Sequence, residues 1–315
     1  MSSEFILELF QKLKDKNLSD KSTNLYVKYL INLNNKESFN NLMFLKDTDN
    51  ILKRLEKYSD NTKKTILSAI TSILSLYNDK PAYKKLHKFY FDLMMNKATD
   101  MKNIDSNVKT DKENKNWISW DEIITIRERL KNEVSEFVNN KIISVAQYNK
   151  LLSLLVLSLY SMIPPRRNVD YIEMFFINHN KDSLDSNKNY LDYTNKKFIF
   201  NNYKTNKKYG LQSLEIPNDL LEIINLYLSH HPLNPDKKLL FKKNTEFRFL
   251  VFSDGSPFNL NSTTRLLNKL FDGKKIGSSM LRHIYLSSKY NIDEMKADAN
   301  AMGHSIEEQR NYMKL

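Results

Sequence analysis

Apolar residues recur at helical spacing along most of the chain. Phe5, Ile6, Leu9, Phe10 and Leu13 keep a period of 3.6, which predicts a first helix. Ser22-Thr23-Asn24 can cap a second helix that carries Tyr26, Tyr29, Leu30 and Ile31. Ser59-Asp60-Asn61 can cap a third, from Thr62 to Tyr77, with Ile66, Ile70, Ile73 and Leu74 on one face. Pro81 opens a fourth that reaches about Asn96. Together these predict a helical domain over residues 1–97. Residues 98–116 hold few large apolar groups and read as a solvated linker. Trp117 then begins a second domain over residues 117–315.

The second domain opens with helical patterning, including a strongly apolar helix from about Ser144 to Met162 that Pro164-Pro165 stop. Lys196–Tyr203 (KKFIFNNY) and Leu211–Ile216 (LQSLEI) look like two strands and flank a charged turn containing Lys204, Lys207, Lys208 and Gly210. Pro217-Asn218-Asp219 caps a helix to about Ser229. Further helices are expected near 260–271, 278–290, 293–302 and 306–314. The expected fold is mainly α with a small antiparallel β-sheet in the C-terminal domain.

Composition narrows the class. Of 315 residues, 41% are hydrophobic, enough for a core and too many for a disordered chain. The longest apolar run, about Leu151 to Ile163, is too short and interrupted for a membrane span. Met1–Glu8 is acidic and helix-like, unlike a signal peptide. There is no cysteine, which excludes disulfides and thiolate metal sites and suits a reducing, intracellular compartment. The six histidines show no zinc spacing, so no metal and no cofactor is expected. The net charge of +12 is spread over both halves and favours a polyanionic partner, nucleic acid or an anionic surface. Of the 49 basic residues only nine are Arg, so arginine marks positions that need a planar, permanently charged fork.

Three segments carry candidate chemistry. Ile163–Met174 (IPPRRNVDYIEM) places Arg166 and Arg167 after a helix end, with Asp170 three residues beyond Arg167 and able to orient its guanidinium. Basic residues at a helix end are also what the helix dipole alone favours. Gly277–Ser288 (GSSMLRHIYLSS) sets Arg282 and His283 beside an apolar stripe, a pattern equally ordinary at a solvated helix edge. Met302–Leu315 (MGHSIEEQRNYMKL) holds His304 in a turn and Tyr312 on a last helix, and a lone tyrosine there is structural in most proteins.

The order of these groups gives them joint meaning. An arginine with a following acid, a lysine in a β-turn, Leu-Arg-His, Gly-His and then Tyr resembles the signature of the tyrosine recombinase (phage integrase) family. The resemblance covers Trp117–Leu315 and, more loosely, the helical N-terminal domain, which is similar to that family's core-binding domain. PPRRNVDY, NYKTNKKYG, MLRHIYLS and MGHSIEEQRNY look most like recombinases of large DNA viruses, virophages and related mobile elements.

The resemblance implies a site-specific recombinase or integrase that cleaves and rejoins double-stranded DNA through a 3′-phosphotyrosyl intermediate, without metal or ATP. It implies Arg167 and Arg282 as the phosphate clamp, Asp170 as the acid supporting Arg167, Lys204 as the hairpin lysine, His304 as the histidine before the nucleophile and Tyr312 as the nucleophile. Lys207 and Lys208 are rivals to Lys204, and Arg166 to Arg167. It also implies a homo-oligomer, tetrameric on paired sites, acting wherever viral or mobile-element DNA resides, in a nucleus or a viral factory. Ser279 departs from the pattern, because the family usually has His there; serine bonds phosphate but is a poor base. His283 is the next histidine along that helix. Two other functions fit the same residues, a type IB topoisomerase-like relaxing enzyme and a catalytically decayed recombinase that only binds DNA.

Overall fold

A computed structural model of the chain describes residues 4–102, 108–178, 184–234 and 245–291. It is mainly helical with one small sheet, and it divides into two compact units, Met1–Val108 and Lys109–Leu315.

The first unit is all helical. Helices α1 (Glu4–Asp15), α2 (Asp20–Leu33), α3 (Thr48–Leu55), α4 (Asp60–Leu74) and α5 (Pro81–Lys102) enclose one apolar core. Helix α4 is its centre and buries Ile66, Leu67, Ala69, Ile70, Ile73 and Leu74. Full burial of each large aliphatic chain contributes about 1.5–3 kcal/mol against ordering the backbone. Tyr90 is buried on α5, and its hydroxyl donates to the Leu45 carbonyl at 2.8 Å. Helix α2 starts earlier than expected, because Ser19 rather than Ser22 is its cap: the Ser19 Oγ accepts the Ser22 amide.

Helical structure extends into both ends of the stretch expected as a linker. Helix α5 continues to Lys102, and α6 (Asp111–Asn116) starts on a reciprocal Thr110–Glu113 capping box. Helix α6 belongs with the second unit, since Asn116 Oδ1 accepts the Lys275 amide at 2.7 Å.

The second unit continues with α7 (Trp120–Ser135) and α8 (Val145–Ser161), each started by a serine capping box. Helix α8 is largely apolar and buries Tyr148, Leu151, Leu152 and each residue from Leu154 to Tyr160, while Asn149 and Lys150 stay exposed. It packs on α7 and on α11 (Asn218–Ser229). Pro164-Pro165 end it, and the short α9 (Asn168–Ile172) follows with Arg167 at its N-cap.

The sheet is mixed, which corrects the expected antiparallel one. Strands β1 (Phe175–Ile177), β2 (Tyr190–Asp192), β3 (Lys197–Phe200), β4 (Gln212–Glu215) and β5 (Glu246–Arg248) lie in the order β4-β3-β2-β1-β5. Strands β1 and β2 run parallel, and the other pairs are antiparallel. The turn between β3 and β4 contains a single helical turn, α10 (Asn206–Tyr209), closed by Gly210 at φ +65°. Helices α12 (Leu260–Leu270) and α13 (Ser278–Lys289) complete the described part. The helices expected near 293–302 and 306–314 lie outside the described residues. Among the described residues no helix is long and apolar enough to cross a membrane.

Candidate functional site

The loop from α8 to α9 places two arginines side by side and sends them to different tasks. Pro165 is buried and fixes the chain direction, while Arg167 opens α9. Arg166 lies outside the helix, yet its Nε donates to Asp170 Oδ2 at 2.9 Å and its Nη1 donates to Gln212 Oε1 at 2.9 Å. Its guanidinium rests 3.8 Å from the centre of the Phe200 ring and 5.2 Å from that of Tyr203. The ion pair of Asp170 is therefore with Arg166. The sequence expectation that Asp170 chiefly orients Arg167 is corrected; the i to i+4 geometry across the N-cap favours the earlier arginine.

Arg167 is left uncommitted. Among the described residues its side chain makes no hydrogen bond or ion pair, although it stands close enough to act on the charges of both Asp170 and Arg282. Arg282 comes from α13, packed on α7 on the far side of the unit's sequence. Its Nη2 donates to Ser279 Oγ at 3.0 Å, and its buried Nε has no hydrogen-bond partner. Burial, then the neighbouring Arg167 charge, push Arg282 below the ordinary guanidinium range, against the pull of Asp170 and Tyr160.

These groups share one open pocket of about 240 Å3, lined by Pro165, Arg166, Arg167, Asp170, Tyr203, Thr205, Tyr209, Gln212 and Arg282. Its walls come from the α8–α9 loop, the β3–β4 hairpin and α13. Asp170 is buried at the base. Burial pushes its carboxyl above the ordinary range and Arg166 restrains that rise, while Oδ1 is left without a partner. Two guanidiniums held near each other repel, and the buried Nε of Arg282 has no hydrogen-bond partner among the described residues. A bound oxyanion would relieve both costs, and the planar forks match its oxygens.

The other sequence candidates divide. Ser279 sits in the first turn of α13 as the acceptor for Arg282, beside the pocket. Lys204 is exposed in the hairpin turn between Tyr203 and Thr205, two residues that line the pocket, but it is not itself part of the wall. Lys207 and Lys208 lie in α10 and are also exposed. His283 is exposed and faces α6: Glu113, held below the usual carboxylate range chiefly by the Thr110 amide, also feels its charge. His304 and Tyr312 lie outside the described residues. Sequence reasoning missed Gln212, Tyr203, Thr205 and Tyr209 as wall residues, and Phe200 beneath Arg166. No sequence signal marked Gln212, a single polar residue at a strand start.

Among the described residues no group of three His, Asp or Glu side chains is placed to hold a metal ion. No protein-family model, curated protein or solved structure matches this chain.

Proposed function

We propose that the chain is a DNA strand-transferase of the tyrosine recombinase type, acting on double-stranded DNA through the Arg167–Arg282 pocket. The observation that carries the reading is the meeting of these two arginines, distant in sequence, in one pocket with a buried carboxylate and an unused guanidinium donor. The net charge of +12 supports a polyanionic substrate.

In this reading a backbone phosphate enters the pocket with its non-bridging oxygens toward Arg167 and Arg282. Charge builds on those oxygens as the phosphorus becomes five-coordinate, so fixed donors lower the barrier more than they tighten ground-state binding. The Tyr312 oxygen attacks in line, forms the 3′-phosphotyrosyl bond and expels the 5′-oxygen, which takes a proton from Lys204. A phenol ordinarily loses its proton near pH 10, and a doubly cationic pocket favours the phenolate. His304 bonds the phosphate. A second 5′-hydroxyl reverses the step and joins new partners, conserving the bond energy. By the same resemblance the working form is a homo-tetramer on paired sites.

Ser279 favours a second reading, a decayed recombinase that binds DNA without cutting it, because Ser279 is spent as an acceptor for Arg282 and offers no base.

A nicked duplex drawn from the DNA flanking the gene separates the readings. Cleavage next to the nick traps the protein on DNA. An SDS-resistant adduct that vanishes in Tyr312→Phe and falls roughly 10²–10³-fold in Arg167→Ala supports the strand-transferase. Salt-sensitive binding with no adduct supports the DNA-binding reading. Supercoil relaxation without partner exchange selects a topoisomerase-like enzyme.

A further inference from the structure

Resting on the reading above, we propose that Arg166 is a positioning residue: it braces the β3–β4 hairpin against α9 and so fixes where the hairpin turn presents Lys204. Phe200 and Gln212 are partners in the β3–β4 register, the last pair before the chain leaves the sheet for the turn. Arg166 engages both. Its guanidinium covers the Phe200 ring at 3.8 Å and its Nη1 donates to Gln212 at 2.9 Å, while its Nε is tied to Asp170 on α9. One planar group thus joins the mouth of the turn to the base of the arginine pocket.

The turn has the backbone bonds of α10, and its entry is held by Asn189, whose Oδ1 accepts the Asn201 and Asn202 amides and whose Nδ2 donates to the Asn202 and Asp170 carbonyls; two side-chain ties close the rest. The Tyr203 hydroxyl donates to the Gly210 carbonyl at 2.8 Å, and Asn206 Nδ2 donates to the Asn201 carbonyl at 2.9 Å. Tyr203 also lies 5.2 Å from the Arg166 guanidinium, so the first residue of this internal tie touches the brace. Lys204 follows Tyr203 directly and has no other anchor among the described residues, so its main chain goes where Tyr203 goes. Lys204 and, beyond it, Lys207, Lys208 and Tyr209 are exposed. A lysine at position 166 could keep the charge beside Asp170 but not two in-plane donors and a flat face. Adjacent arginines therefore divide the work: Arg166 is committed to the scaffold, and Arg167, whose side chain makes no hydrogen bond or ion pair among the described residues, is assigned to the phosphate.

The test uses the full chain with Arg166→Lys and, as a milder break, Gln212→Leu. Amide hydrogen exchange should show residues 201–211 losing protection in both variants while α8 keeps its own. Single-turnover cleavage should then be compared on two nicked duplexes, one with the ordinary 5′-oxygen leaving group and one with bridging sulfur. A thiolate leaves without a proton, so the sulfur substrate does not need Lys204. Both variants should be slowed roughly 10–10²-fold on oxygen, part of a general acid's usual share, and stay within about threefold of wild type on sulfur. Arg167→Ala should be slow on both. Unchanged protection of 201–211, or equal slowing on both substrates, overturns the brace. A wild-type chain that cleaves neither substrate sinks the strand-transferase reading, and the exchange data still decide whether Arg166 holds the turn.

Discussion

Arg282→Met should separate function from folding. Among the described residues the buried Arg282 Nε has no hydrogen-bond partner, and the guanidinium sits beside the Arg167 charge. An unsatisfied buried donor costs about 1–3 kcal/mol. Against this stands one exposed bond, Arg282 Nη2 to Ser279 at 3.0 Å, which contributes about 0.5–1.5 kcal/mol. Methionine keeps an unbranched apolar stem, so what the aliphatic part of the Arg282 side chain covers stays covered. The free protein should therefore be as stable as wild type, or more stable by about 0–2 kcal/mol. Urea denaturation measures this directly. Sulfate at ten times its dissociation constant should stabilise wild type by about 1.4 kcal/mol through linkage and leave the variant unmoved. Adduct formation on nicked DNA should fall roughly 10²–10³-fold. A variant that loses more than about 2 kcal/mol of stability would show Arg282 to be a structural residue, and the anion-pocket reasoning would fail.

Three further outcomes follow from the same geometry. Asp170→Ala should destabilise the second unit by roughly 3–5 kcal/mol, because it leaves the partly buried Arg166 without its counter-charge, and Arg166→Met in that background should recover part of the loss on urea denaturation. His231 should give stability an acid limb. It is 1% exposed, its Nδ1 accepts the Leu233 amide and its Nε2 therefore donates to the Phe249 carbonyl; burial pushes it down to about 4. The unfolded chain takes up this proton first, so the contribution is full above about pH 6.5 and falls by on the order of 3 kcal/mol as pH drops to about 4. Replacement by Gln should flatten that slope in denaturation curves taken across the window. Tyr148→Phe should cost about 1–3 kcal/mol without altering DNA binding, since the Tyr148 hydroxyl, 3.0 Å from the Val251 carbonyl and 3.1 Å from the Tyr227 hydroxyl, serves the α8 core away from the pocket.

What the sequence revealed depended on how local the determining physics was. The stripe of Ile66, Ile70, Ile73 and Leu74 predicts α4 because a helix buries one face of its own sequence. Strands β3 and β4 were legible because two short strand-like segments flank a charged turn that Gly210 closes. Strands β1, β2 and β5 were not. Each has three residues, too few to establish a period, and β1 is the unbroken apolar run Phe175–Ile177. The parallel pairing of β1 with β2 leaves no hairpin signature, so the mixed sheet could not be read in advance.

The site divides along the same line. Arg167 and Arg282 are singled out by the motif order that resembles the recombinase signature, in a chain where arginine is scarce, and the fold brings them to one pocket. The partner of Asp170 could not be read from spacing. Helical i to i+3 logic chooses Arg167, but that residue is the N-cap, with an extended backbone at ψ 150°, and its side chain leaves the helix surface. Arg166, one residue earlier, turns back across the cap to reach the carboxylate, and it does so because Phe200 and Gln212 on the hairpin give its flat face and second donor a place to bind. Neither hairpin residue is near it in sequence. The choice between two adjacent arginines is thus made by a sheet edge that only the folded chain supplies, which is why tertiary contact, and not motif spacing, ties Arg166 rather than Arg167 to Asp170 and the hairpin.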